Sequence, residues 1–90
     1  MSLERVVFER VEFFYSSYCR SSNEGVLIKF FNMTRGVTAE DTQNAIFALV
    51  NMGLVQSYGV APNIEITPTN KGILEVKNET LDVFFTKKGL

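Results

Sequence analysis

The stretch that decides the fold is Thr38–Gly59, TAEDTQNAIFALVNMGLVQSYG. Thr38 is a helix-capping residue, and Asp41 three positions later completes the S/T-x-x-D/E pattern in which side chain and backbone cap each other. Thr42, Ala45, Ile46 and Leu49 recur at i, i+3, i+4 and i+7, which places them on one buried face of a helix over residues 39–52. Met52-Gly53 ends it, because glycine adopts the left-handed conformation without steric cost. Leu54 to Tyr58 then suits a short strand.

Upstream, residues 3–20 carry a helical pattern. Leu3, Val6, Val7, Val11, Phe14 and Tyr18 share a stripe, with Phe8 and Tyr15 on one flank and Phe13 on the other. Arg20-Ser21-Ser22-Asn23 breaks the pattern and offers Ser22 or Asn23 as the next cap. Residues 24–34 read as a second helix with Val26, Leu27, Phe30 and Phe31 inward and Lys29 outward; a buried strand fits the same short apolar run. Arg35-Gly36-Val37 is a turn. Downstream, Gly59–Asn63 is loop-like and Ile64-Glu65-Ile66-Thr67 alternates as a half-exposed strand does, so residues 54–67 form a hairpin. Thr67-Pro68 then predicts a helix start, with proline at the first helical position. That last helix covers residues 68–86, with Ile73, Val76, Leu81 and Phe84 inward and Leu74 and Phe85 on a flank.

Ala45, Ile46 and Leu49 with the exit Gly53-Leu54-Val55 resemble the third helix and first wing strand of winged helix-turn-helix domains. Ile64-Glu65-Ile66-Thr67-Pro68, followed by Lys71-Gly72-Ile73, is similar to the second wing strand and helix start of bacterial and archaeal regulators with that fold. Those regulators often read L-T-x-x-G there, whereas here two further residues separate Thr67-Pro68 from Lys71-Gly72. The resemblance covers most of the chain. It implies a mostly helical α+β domain in the order helix, helix, helix, strand, strand, helix, with the third helix reading the DNA major groove.

Composition narrows the functional classes. Ninety residues make one domain, and 46% apolar residues with eight Phe and three Tyr mark a globular chain. A net charge of −1 gives no general attraction to phosphate polymers. The one cysteine, Cys19, leaves no intramolecular disulfide and fits a reducing, cytoplasmic setting. No apolar run approaches the ~18 residues needed to span a bilayer, and the charges in the first 30 residues argue against a secretory signal. With no histidine, no paired-cysteine spacing and no glycine-rich phosphate loop, neither an enzyme nor a cofactor or metal site is expected.

Opposite the buried stripe of the third helix lie Glu40, Asn44, Phe47 and Asn51, with Gln43 on one flank. Gln43 and Asn44 have the amide chemistry that pairs with adenine, and Phe47 suits a thymine methyl. Arg35, the Thr38 helix end and Tyr58 are placed to meet phosphates, with Lys29 and Lys71 on neighbouring elements. From Thr38 to Asn70, however, there is no Lys or Arg.

The expectation is a sequence-specific, DNA-binding transcriptional regulator, homodimeric through its first and last helices and associated with the nucleoid. The alternative is an adaptor of the same fold whose third helix or wing docks a protein, with exposed Phe47 as its anchor.

Overall fold

Four polar side chains set the helix starts. The oxygens of Ser2, Asn23, Thr38 and Thr69 each accept a hydrogen bond from the backbone N–H three residues on, which satisfies donors that the first helical turn leaves open. The computed structural model describes residues 2–90. Among them the order is α1 (Leu3–Tyr18), β1 (Ser22–Asn23), α2 (Glu24–Arg35), α3 (Ala39–Asn51), β2 (Val55–Tyr58), β3 (Glu65–Pro68), α4 (Asn70–Lys77) and α5 (Leu81–Lys87). The fold is α+β and mostly helical. None of these helices is long and apolar enough to cross a membrane.

The three strands form an antiparallel sheet in the order β1-β3-β2, with Ser22 opposite Ile66 and Ser57 opposite Ile66 from the other side. The core lies where α1, α2 and α3 meet this sheet. Val7, Phe8 and Val11 from α1 pack with Leu27, Phe31, Ala45, Ile46, Leu49, Leu54, Val55, Ile66 and Phe85. In α3 the expected face is the buried one: Thr42, Ala45, Ile46 and Leu49 point inward, and both bonds of the Thr38–Asp41 capping box are formed.

Several expectations are corrected. The first helix ends at Tyr18, not residue 20, because Cys19 takes the left-handed conformation (φ 53°). Ser22-Asn23 is not only a break: both residues pair with β3. Phe8, expected on a flank, is fully buried, while Tyr18, expected on the stripe, is exposed. The aromatic end of α1 instead stacks on itself, with Phe13, Phe14 and Tyr18 ring centres 5.8–5.9 Å apart. Val26 of α2, expected inward, is 62% exposed.

The C-terminal region departs furthest. Pro68 ends β3 opposite Val55 and does not start a helix. β1 pairs only with Glu65 and Ile66, so β3 is an edge by Pro68, where proline is tolerated. Thr69 caps α4: its hydroxyl accepts from the Gly72 N–H at 3.1 Å and donates to the Gly53 carbonyl, and its own N–H donates to the Leu54 carbonyl at 2.9 Å. The predicted single helix breaks at Asn78-Glu79, where Glu79 has φ 57°. That break resets the helical phase and turns Phe85, not Phe84, fully inward, 6.3 Å from the Phe8 ring centre.

Gly72 marks the closest approach of α4 to the core. A methyl group there would collide with the Leu54 carbonyl oxygen and come within 2.9 Å of the Phe8 ring. Gly72→Ala is expected to lower stability by about 1–3 kcal/mol, read as a reduced midpoint in urea. A stability equal to or above wild type would show that α4 shifts freely over Phe8.

Candidate interaction surface around α3

The exposed side of α3 faces the β2–β3 hairpin across a groove of about 500 Å³. Ile46, Phe47 and Val50 of α3 line one wall, Ser57 and Ile64 the other, and Glu24 and Gln43 one end. Phe47 is 70% exposed, so it packs under no part of the hairpin. The groove is built by local pairing: the Glu24 N–H donates to the Ile64 carbonyl at 2.9 Å, tying the start of α2 to the hairpin. Apolar side chains therefore border the water-filled side of the helix expected to do the recognising.

Arg35 is the exposed last residue of α2. Thr38 sits at the N-terminus of α3, but its N–H donates to Asp41 Oδ2 at 3.1 Å and its hydroxyl accepts from the Asp41 N–H at 3.0 Å. A carboxylate thus already occupies the position that a phosphate would take there, and Glu40 adds a second negative charge in the same turn. Gln43 Nε2 donates to Glu24 Oε1 at 3.4 Å, a long bond that turns the amide toward α2. Asn44 and Asn51 are exposed. Tyr58 stands apart from these residues, lining a separate hollow with Tyr15, Gln56 and Thr67. Gln43 and Phe47 are thus brought together, and Tyr58 is not.

Of the cations near α3, Lys71 is engaged: its Nζ donates to the Met52 carbonyl at 3.0 Å, at the negative end of α3, and lies 4.9 Å from the Phe84 ring centre. Lys29 and Arg35 are exposed. The contribution of Glu24, Ser57 and Ile64 has no signal in local spacing, because the groove depends on strand pairing between distant residues.

A second cluster holds the hairpin to the helices. Ser21 Oγ donates to Glu65 Oε1 at 2.6 Å and Asn23 Nδ2 to Glu65 Oε2 at 2.9 Å, while Asn23 Oδ1 accepts the α2-capping bond from the Val26 N–H. One amide thus serves a helix end and a strand together. These bonds, Ser21 first and Asn23 second, hold the Glu65 carboxyl below its usual value against the opposing effect of burial.

The chain was compared with protein-family models, with curated proteins and with solved structures. None matches.

Because Glu65 is held more acidic in the folded state, the stability it contributes is fully present above the unfolded carboxylate value near 4.5 and is lost as pH falls through the lower folded value. Glu65→Gln is expected to be less stable than wild type at pH 7, with the gap narrowing below that value. Urea midpoints across pH 3–7 check this, and a gap that widens on acidification would show the opposite sign.

Proposed function

We propose that this chain is a winged-helix domain working as a non-enzymatic binding module, and that α3 and the hairpin dock a protein partner. Several features support the winged-helix reading: α2 and α3 joined by a tight turn at Gly36, α3 leading directly into a two-stranded hairpin, and a short β1 completing the sheet. The observation that carries the docking reading is Phe47, largely exposed beside an apolar groove on a face without a single Lys or Arg from residue 38 to 70. A desolvated aromatic flanked by a groove is the usual form of a binding hot spot. Glu24 lines the same groove, and Glu40 and Asp41 lie in the first turn of α3, so the matching partner offers an apolar anchor accompanied by Lys or Arg.

Electrostatics weigh the same face against DNA. Each neutralised phosphate contributes ~0.9 to the salt slope of duplex binding. With Arg35 and Lys29 as the two exposed cations of α2, that slope comes to about 2 per chain. The three carboxylates nearby oppose even that contribution. The second reading, a sequence-specific DNA reader of the same fold, keeps one specific support: the exposed amides of Asn44 and Asn51 on α3, with Arg35 beside the turn that leads to it.

Two selections separate these readings. Against a displayed peptide library, the docking reading expects enriched sequences with an apolar anchor between basic residues, and Phe47→Ala should weaken them about 30-fold or more. Phe47 is exposed enough for this substitution to leave the core intact. Against a pool of random duplex DNA at physiological salt, no motif should enrich. An enriched motif that is lost in the Gln43→Ala, Asn44→Ala double variant would overturn the docking reading and establish the DNA reader.

Self-association through α1 and the C-terminal helices is proposed separately, from exposed Phe13, Tyr15 and Tyr18 on α1 and Leu74 and Val83 on α4 and α5. Sedimentation equilibrium is expected to give a dimer that Phe13→Ser weakens, and a monomer at all concentrations would refute it.

A further inference from the structure

Away from the α3 groove, a pocket of about 230 Å³ opens between the end of α1, β1 and the start of α2. Arg10, Phe14, Arg20, Ser22 and Leu27 are among the residues that line it. Two arginines there have no ion-pair partner among the described residues. Arg10 is half-buried, and its guanidinium lies 3.5 Å from the Phe30 ring centre and 4.9 Å from that of Phe14. Stacking occupies the faces of the guanidinium and leaves its N–H edge free to donate. Arg20 is exposed at the other side.

We propose that this pocket binds a small carboxylate carrying an apolar body. Arg10 and Arg20 supply the forked donors that match a carboxylate, and Phe14 and Leu27 take the apolar part. Glu65 also lines the pocket, but both its oxygens are hydrogen-bonded, to Ser21 and Asn23. Two positive charges against one negative leave the lining net positive. Size fixes the class further. At about 230 Å³, below the roughly 300 Å³ at which pockets for drug-sized ligands begin, the pocket matches a one-ring or short-chain acid. The site is distinct from the α3 groove and does not depend on which macromolecule that groove takes.

The test is a titration of the intact, isotope-labelled chain followed by amide and arginine side-chain resonances. Phenylacetate is the probe, with acetate (no apolar body), 2-phenylethanol (no charge) and inorganic phosphate as comparisons. The expected result is saturable shifts at Ser21–Asn23 and at the Nε–H of Arg10 and Arg20. Acetate, 2-phenylethanol and phosphate should each bind at least tenfold more weakly. Arg10→Gln should weaken phenylacetate tenfold or more, and Arg10→Lys, which keeps the charge and loses the fork, by less. Arg20→Gln, at an exposed position that the core does not use, should weaken it several-fold with the spectrum otherwise unchanged.

Three outcomes would overturn the proposal. In the first, phenylacetate gives no saturable shift up to about 10 mM, where a site with a Kd near 1 mM would be about nine-tenths full. In the second, 2-phenylethanol binds equally well, which marks a purely apolar hollow. In the third, phosphate or acetate matches phenylacetate, which marks an adventitious ion only.

Discussion

The ring of Phe8 is the contact on which the rest of the molecule rests. It is fully buried in α1, meets Phe85 of α5, and is approached so closely by α4 that only glycine fits at position 72. The same glycine closes on the Leu54 carbonyl, at the point where α3 hands over to β2. Thr69 reinforces that junction by bonding to Gly53 and Leu54 while capping α4. One aromatic side chain thereby registers the first helix, the exit of the third and both C-terminal helices against each other. Interiors packed this tightly admit few alternative arrangements.

The exposed face of α3 is shaped by a competition between helix stability and anion binding. A helix N-terminus attracts negative charge whether it comes from a ligand or from the chain itself. Here the chain supplies it, through Asp41 in the capping box and Glu40 beside it. Glu24 extends the acidic border across to α2. Beside these carboxylates the accessible face of α3 combines the apolar side chains Phe47 and Val50 with the amides of Gln43, Asn44 and Asn51, and no cation.

Legibility in the sequence followed the range of the interactions. α3 was readable in full, since its cap, its buried stripe and its glycine stop all act within four residues. The order of the central elements was readable from the same kind of signal. β1 was not, because two residues have no periodicity and Ser22-Asn23 becomes a strand only by pairing with Glu65 and Ile66. The C-terminal boundary failed for a different reason. Thr67-Pro68 and Thr69-Asn70 both carry helix-start chemistry, and the extended pairing of β3 with β2 decides between them. Once Glu79 breaks the helix, a continuous 3.6-residue count leaves Phe85 on a flank, whereas it is fully buried and Phe84 is partly buried against the same core. The candidate surface was half readable: Phe47, Asn44 and Asn51 are exposed on α3 as their spacing implies, but the opposing wall at Ser57 and Ile64 arises from tertiary pairing alone.

Arg5, near the start of α1, is ion-paired with Asp82 in α5, and its guanidinium lies 5.9 Å from the Phe85 ring centre. The first turns of α1 and α5 therefore meet on one side of the molecule. A contact between residues so far apart in the chain couples the two helices, so loosening α5 also releases the first turn of α1.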